Sequence, residues 1–568
     1  MKLETFFKHF DLLTEAPNGV QKLRELILDL AVRGKLVPQD ENDQPARELL
    51  KEIETEKKRL IKQGNIKQSK PLPEITPDEI PYNLPENWEW VKLGEIVSIL
   101  GDGIHGTPIY DDQGDFFFIN GNNLVDGIIE IKQNTKRVSI EEYVKHKKEL
   151  NEHTVLVSIN GTIGNVAFYN FEKVVLGKSA CYFNLVSKID KHYIKRLINS
   201  QYFIQYALKS ATGTTIKNVS LKTMRELFVP LPPVNEQKRI VTKVDELMKL
   251  CDELEARQKK KQETRILINN AALNKLLTAE TPETFTQNWQ RISDNFDLLY
   301  SAPENIGKLR QAILQLAVMG KLVPQDANDE PAAALLERIK KEKERLVKEG
   351  KIKKEKLLPI PEAKEIMFDL PDIWQWERLG NALLKVTDGT HNSPPNKEKG
   401  EYKYITAKNI KQGKIDLTNI TYINSEIHKE IYSRCNPELG DLLYIKDGAT
   451  TGIVTINDLL EPFSMLSSVA LLKLPSNIYN RYLFYVLSSP YFYSLMRNDM
   501  SGVAITRVTL AKLNKALIPI APLNEQKRIV SKVDKLMKLC DELETKLTQT
   551  QTESEKIINA AVKQLLTV

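Results

Sequence analysis

Gly34-Lys35-Leu36-Val37-Pro38-Gln39-Asp40 returns unchanged as Gly320 to Asp326, 286 positions later. Asn235-Glu236-Gln237-Lys238-Arg239-Ile240-Val241 returns as Asn524 to Val530, 289 positions later. Leu247 to Glu255 is identical to Leu536 to Glu544. Solenoid units run ~20–50 residues, so a spacing this long marks tandem duplication of a domain-sized unit, roughly 1–277 and 291–568. Such a chain is expected to fold into two similar bodies with pseudo-twofold symmetry. Two similar bodies can face a twofold-symmetric object, or two copies of one partner.

A chain of 568 residues exceeds what one core supports, and several domains are expected. With 81 Lys+Arg against 75 Asp+Glu, the net charge is +6. That balance permits nucleic-acid contact without requiring it. The four cysteines form no CxxC pair and no Cys/His cluster, so buried thiols in a reducing compartment are expected, not disulfides or metal ligands. The first residues, Met-Lys-Leu-Glu-Thr-Phe-Phe-Lys-His, lack the apolar run of a signal peptide. No stretch of ~18 apolar residues suggests a membrane span. The expected location is the cytoplasm.

Each unit divides into three parts. Residues 1–85 read as a helical arm followed by a Pro-rich connector. Leu23, Ile27 and Leu30 recur at helical spacing, Gly34 closes the helix, and a second helix opens at Pro45. The connector ends in Leu84-Pro85-x-x-Trp88-x-Trp90, repeated as Leu370-Pro371-x-x-Trp374-x-Trp376. Residues 86–232 mix strand-like runs (Asp115–Ile119, Thr154–Ile159) with a helical pattern at Tyr193–Leu208, mirrored at Tyr482–Met496. Residues 233–277 read as one long helix. Ile240, Val244, Leu247, Cys251 and Leu254 step by 4-3-4-3, the rhythm of a coiled-coil seam. The second unit repeats the plan: 278–371 linker, arm and connector; 372–521 mixed domain; 522–568 long helix, with seam Ile529, Val533, Leu536, Cys540 and Leu543. Each seam is expected to pack on the other. Glu236, Lys238, Arg239 and their mates Glu525, Lys527 and Arg528 are expected at the surface, where they would dock two copies of one partner or serve capping and solubility.

The copies diverge unevenly. Arms and long helices are nearly identical, whereas the mixed domains share only turn residues. Gly101-Asp102-Gly103-Ile104-His105-Gly106-Thr107-Pro108 is echoed by Thr387-Asp388-Gly389-Thr390-His391-Asn392-Ser393-Pro394. Asn160-Gly161-Thr162-Ile163-Gly164 is echoed by Asp447-Gly448-Ala449-Thr450-Thr451-Gly452. One scaffold carrying two faces suggests a device that reads two different things; drift in loops is the plain alternative.

On these motifs the chain resembles the specificity subunit of type I restriction–modification enzymes. The resemblance spans essentially the whole length: two target-recognition domains, each introduced by Leu-Pro-x-x-Trp-x-Trp and followed by a helix opening Asn-Glu-Gln-Lys-Arg-Ile. It implies an α+β fold, with two mixed α/β target-recognition domains separated by long antiparallel coiled-coil helices in a pseudo-twofold duplication. It also implies a non-catalytic subunit that reads a bipartite, asymmetric target in double-stranded DNA. Two methyltransferase subunits, and through them restriction/translocase subunits, are the implied partners. S-adenosylmethionine, ATP and Mg²⁺ would belong to those partners, with no cofactor in this chain. A coiled-coil scaffold that joins proteins without touching DNA is the rival reading. The helical arms are longer than in shorter family members, and the resemblance leaves their partner open.

No phosphate loop, HExxH or GxSxG is present. His105 and His391 each follow an aspartate (Asp102, Asp388). Acid–base chemistry would need a nucleophile or metal set beside the pair, so a loop hydrogen bond or a DNA contact is the better reading. No catalytic or metal-binding residue is expected. Gly-rich turns can hold phosphates, with Lys178, Lys217, Lys408, Lys446 and Arg507 nearby. Base edges call for paired donors and acceptors. Candidates in the first domain are Asn120, Asn122, Asn123, Asn160 and Thr162, with Thr107, Thr214 and Thr215 beside them. In the second they are Asn392, Lys408, Asn409, Lys446 and Thr450, with Thr451 and Thr506. Asn123 and Asn409, kept in both copies, are equally readable as structural.

Overall fold

The computed structural model describes residues 16, 18–68, 71–186, 188–213, 217–497 and 507–567, the last three without their side chains. By internal contacts the chain forms two compact units, 1–260 with 550–568, and 261–549.

In the first unit the arm comprises α1 (Gly19–Val32) and α2 (Ala46–Lys62). The mixed domain follows in order: β1 (Glu89–Lys92), β2 (Val97–Asp102), β3 (Phe116–Ile119), β4 (Arg137–Val138), α3 (Ile140–His146), β5 (Thr154–Ser158), β6 (Val166–Phe168), β7 (Val174–Leu176), β8 (Ala180–Leu185), α4 (Lys191–Asn199), α5 (Gln201–Ser210) and β9 (Phe228–Leu231). The long helix α6 spans Val234–Leu277, its residues beyond 260 belonging to the second unit. An antiparallel sheet of order β2-β8-β5-β6 forms the centre, and a smaller sheet β4-β3-β7 lies beside it. The pair β1-β9 brings the two ends of the domain together.

The second unit repeats this plan. Its arm is α7 (Pro303–Val318) and α8 (Ala332–Lys348). Then come β10 (Gln375–Arg378), β11 (Lys385–Asp388), β12 (Tyr402–Ile405), β13 (Thr421–Ile423), α9 (Ser425–Arg434), β14 (Leu442–Ile445), β15 (Val454–Ile456), β16 (Ser464–Met465), β17 (Val469–Lys473), α10 (Asn480–Ser488), α11 (Pro490–Arg497), β18 (Leu517–Ile520) and α12 (Leu523–Thr567). The sheets β11-β17-β14-β15, β13-β12-β16 and β10-β18 match those of the first unit strand for strand.

Two expectations about helices change. The pattern at Tyr193–Leu208 is two helices, broken at Ser200, whose hydroxyl donates to the Leu197 carbonyl at 2.6 Å and receives the Phe203 N–H at 3.4 Å. The pattern at Tyr482–Met496 breaks at Ser489, ahead of Pro490, because proline brings no N–H to continue a helix and disfavours helical backbone before it.

The seams are covered differently from expectation. Ile240, Val244 and Cys251 are buried in one apolar core with Val20, Ile27, Leu28 and Ala31 of α1, and Leu247 and Leu254 pack against it. Ile529, Val533 and Cys540 are buried with Ile306, Leu309 and Ile313 of α7, with Leu536 and Leu543 against them. Each seam is thus covered by the arm of its own unit, which gives the arms their role. Arg24 of α1 pairs with Asp252 at 2.6 Å and Glu255 at 2.8 Å, and Arg310 of α7 pairs with Asp541 at 2.7 Å and Glu544 at 3.1 Å.

The repeated motifs meet at one point in each unit. Glu236, 1% exposed, accepts the Trp88 indole N–H at 3.0 Å and the Gln39 amide at 2.7 Å. Arg239 pairs with Asp43 at 2.6 Å. The Gln237 side chain accepts the Asp190 N–H at 2.9 Å and donates to the Pro232 carbonyl at 2.9 Å. In the second unit Glu525 takes Trp374 at 2.9 Å and Gln325 at 2.7 Å, and Arg528 pairs with Asp329 at 2.6 Å. The expectation of a surface location fails for Glu236 and Glu525, which are buried, and holds for Lys238 and Lys527, which are exposed. Gly34 and Gly320 fit the same junction. Each ends its arm helix at φ 68°, and a Cβ there would sit 2.5 Å from Pro85 or Pro371.

Burial raises the carboxyl pKa of Glu236 and Glu525 above its ordinary value, partly offset by the indole and amide donors. The stability each contributes is therefore present below the ordinary carboxylate pKa and lost as pH rises through the raised one. Glu236→Gln is expected to reduce this loss while retaining an acceptor. Glu236→Ala strands the buried Trp88 indole N–H and should cost about 1–3 kcal/mol. Denaturant unfolding midpoints between pH 4 and 8 check both.

Candidate nucleic-acid interface

The loops at one end of each four-stranded sheet hold most of the candidate residues. In the first domain the chain leaves β2 at Asp102 and turns so that the Ile104 N–H reaches the Leu176 carbonyl at 2.8 Å. Asn120, after β3, accepts the Ser179 hydroxyl at 3.0 Å. Ser179 in turn receives the Gly121 N–H at 2.8 Å, and its carbonyl receives the Ile159 N–H at 3.0 Å. Gly161 N–H reaches the Lys217 carbonyl at 3.2 Å. Segments 102–105, 120–122, 159–161, 177–179 and 217–218 are thereby tied into one cluster.

Within it, His105, Thr107, Asn122, Thr162, Lys178 and Lys217 are exposed. Asp102, Asn120 and Asn160 are half-buried. His105 Nε2 lies 2.9 Å from Asp102, a loop hydrogen bond. Asn123 is a correction. It is 5% exposed, accepts the Asn120 N–H and donates to the Glu130 carbonyl, each at 3.0 Å. Its amide holds the turn and does not face outward. Asn409 does the same, accepting from Thr406 at 3.0 Å and donating to the Asp416 carbonyl at 3.2 Å. Thr214, Thr215 and Thr506 lie outside the described residues.

The second domain ties its loops by the same backbone bonds. Thr390 N–H reaches the Met465 carbonyl at 2.9 Å, Lys446 N–H the Ser468 carbonyl at 2.9 Å, and Val508 N–H the Lys446 carbonyl at 2.8 Å. His391, Asn392, Lys408, Thr450 and Arg507 are exposed. Besides Asn409, three candidates are buried: Asp388 is 3% exposed, Lys446 1% and Thr451 2%. Thr451 donates to the Gly448 carbonyl at 2.7 Å. Lys446 is placed inside an ion network: its ammonium lies 2.8 Å from Asp447 and 3.5 Å from Asp388. Asp388 also lies 3.5 Å from His391 and 3.4 Å from Arg434, and Asp447 lies 3.4 Å from Arg507. Burying the Asp388 carboxylate and the Lys446 ammonium, with Asp447 half-buried beside them, is tolerable only because each has an opposite charge.

Sequence reasoning missed Arg434 and Ser179. Arg434 closes α9, a cation in a last helical turn being too common a feature to single out. Ser179 and its mate Ser468 left a usable signal, since both copies keep them; Ser468 Oγ receives the Ala407 N–H at 3.3 Å. Among the described residues no group of three His, Cys, Asp or Glu side chains could hold a metal. No described helix is long and apolar enough to cross a membrane.

Asn123→Ala is expected to lower stability by about 1 kcal/mol through the lost hydrogen bonds to Asn120 and Glu130, without altering the sequence preference of duplex binding. Unfolding midpoints compared with the sequence preference of duplex binding check this.

The family described as "Type I restriction modification DNA specificity domain" matches residues 85–264 and 374–551. The type I restriction enzyme EcoAI specificity subunit of Escherichia coli is 34% identical over 545 residues, covering 92% of this chain and 90% of that protein. The EcoEI specificity subunit of Escherichia coli is 33% identical over 566 residues, covering 94% and 91%. A solved HsdS subunit from Thermoanaerobacter tengcongensis is 17% identical, with coverage of 86% and 98% and a TM-score of 0.40.

Proposed function

Because the chain belongs to the specificity-subunit family of type I restriction–modification enzymes, we propose that its two mixed domains each read one half of a bipartite, asymmetric DNA target. The observation that carries this reading is the pair of loop clusters. One backbone hydrogen-bond pattern is used twice, yet its outward side chains differ: Asn122, Thr162 and Lys178 in one domain, Asn392, Lys408 and Arg507 in the other. A common frame with unlike faces suits a reader of two unlike sequences.

In this reading the chain performs no bond-making chemistry. Methylation and cleavage fall to two methyltransferase subunits and to restriction/translocase subunits, which would hold S-adenosylmethionine, ATP and Mg²⁺. A cytoplasmic setting, with access to chromosomal DNA, follows from the same role. The exposed residues that both copies share here, Asn235 and Lys238 with Asn524 and Lys527, support docking of two copies of one partner, since identical surfaces serve identical partners.

Replacing residues 99–230 with those of a differently specific relative is expected to change one half of the methylated motif and leave the other intact. Methylome sequencing of cells carrying the chimera with its partner subunits reads this out. An unchanged motif, or one changed in both halves, would refute the assignment. The rival scaffold reading predicts no duplex binding at any salt concentration. Direct phosphate contact predicts affinity falling steeply between 50 and 200 mM salt, by about 10³-fold or more for six phosphate contacts.

A further inference from the structure

We infer that the second unit carries a docking groove for an acidic amphipathic helix of a partner subunit in the same complex. The inference rests on the subunit role proposed above and adds to it a contact made by the arm and the connector.

Two faces of α8 have different fates. Ala332, Leu335 and Ile339 are buried in the core of the second unit. Ala333, Leu336, Lys340, Lys343 and Val347 step by 3-4-3-4 along another face, and they wall a groove of about 900 Å³. The facing wall comes from residues 375–384, where the chain enters the recognition domain, together with Ala511, Asn514 and Lys515. Connector residues 352–358 form the rim. Leu384 precedes β11, whose other end, Asp388, enters the loop cluster, so the groove lies at the opposite end of that strand. From Ala333 to Lys348 the wall runs about 22 Å at 1.5 Å per residue, enough to lie beside a helix of about four turns.

The groove offers apolar contact inside and positive charge at its edge. Leu336, Val347, Ile352, Leu358 and Leu384 are half-buried along it. Polar groups at its back are occupied within the chain. Lys343 donates to the Gly380 carbonyl at 2.9 Å and the Asn381 carbonyl at 3.3 Å. The Asn381 amide donates to Leu358 and Glu377 and accepts the Leu358 N–H at 3.0 Å. This back wall suits apolar side chains better than a polar metabolite, which needs convergent free polar groups. The lining residues include seven lysines and four glutamates, and Lys340, Lys354 and Lys515 are exposed. Duplex DNA could neutralise these lysines but brings no apolar surface to the floor. A helix with carboxylates flanking an apolar row does both.

The first unit differs on the facing wall. Lys222 and Arg225 stand there at the places of Ala511 and Asn514. Arg225 lies over Gly94, its Cγ 2.7 Å from where a Cβ would stand. These longer side chains take up room that Ala511 and Asn514 leave open, and the groove is assigned to the second unit.

The test uses the full chain assembled with its methyltransferase and restriction subunits, carrying a photo-crosslinking residue at Ala333, which is exposed on the groove wall. Mass spectrometry of the product is expected to show one segment of a partner subunit, net negative, with apolar residues at helical spacing. Two sets of substitutions use residues that the first unit carries at the same places. Ala511→Lys with Asn514→Arg narrows the groove. Lys340→Glu with Lys354→Gln and Lys515→Glu removes its positive edge, as Glu54, Gln68 and Glu226 do in the first unit. Each set is expected to weaken binding of the crosslinked subunit by about 10-fold or more and to abolish the crosslink, with the thermal unfolding midpoint unchanged. A crosslink to duplex DNA, to a segment without net negative charge, or to no partner in a complex that still methylates DNA would overturn the inference. So would a crosslink that survives either set. If the substituted chains do not fold, the identity of the crosslinked segment decides alone. A wild-type chain that fails to assemble with these subunits would refute the proposed function and this inference together.

Discussion

Each unit depends on one buried carboxylate. Glu236 sits at the start of α6 and takes hydrogen bonds from an arm residue, Gln39, and from the residue that introduces the mixed domain, Trp88. Three segments far apart in sequence are thus fixed on two oxygen atoms. A leucine there could fill space, but it could not hold two N–H donors at defined angles, and each buried donor left without a partner is costly. Arg239 beside it pairs with Asp43, and Gln237 ties the helix start to α4 through the Asp190 N–H. Glu525, Arg528 and Gln526 repeat the junction bond for bond. This explains why Val-Pro-Gln-Asp, Leu-Pro-x-x-Trp and Asn-Glu-Gln-Lys-Arg stayed alike after duplication: they are three sides of one contact, and a change in one strands the others.

The junction also accounts for the arms. A helix with an apolar stripe needs something to cover it. Here α1 covers the first turns of α6 and α7 the first turns of α12, with Arg24 and Arg310 adding ion pairs at the edge. These pairs are exposed on the acidic side, so packing carries most of the stabilisation. The long helix therefore leaves its domain in a direction set by buried contacts on two sides.

Much of this was legible in the sequence. The duplication, the arms, the strand runs at Phe116–Ile119 and Thr154–Ser158, and the long helices all carry local signals of period or punctuation. What covers a seam is a different matter. The 4-3-4-3 spacing of Ile240 to Leu254 shows that one face is apolar but does not name the helix that lies on it, and α1 satisfies that face as well as a second long helix does. The buried state of Glu236 was hidden for a related reason. A glutamate in a run of charged residues looks solvated until its indole and amide partners, remote in sequence, are placed beside it. Asn123 and Asn409 were readable as turn-formers, since both copies hold the same residue. Arg434 was not readable, because its meaning comes from Asp388, 46 positions away.

Divergence between the recognition domains follows from how their frame is bonded. At the position of Ile159 and Lys446, the backbone N–H reaches the carbonyl of Ser179 or Ser468, and the backbone carbonyl receives the N–H of Val219 or Val508. None of these bonds involves the side chain, so the frame accepts an aliphatic residue in one domain and an ammonium in the other. The ammonium brings its own requirement, since a buried charge without a counter-ion is prohibitively costly. Asp388 meets it from the position that Asp102 holds in the first domain. The neighbouring position differs too: Asn160 corresponds to Asp447, which approaches Lys446 to 2.8 Å. Lysine and aspartate therefore form one substitution in physical terms, neutral in net charge and closed within the network. A frame held by main-chain bonds can exchange such sets without loss of shape, so two copies of one fold can come to present different chemistry to the same kind of ligand.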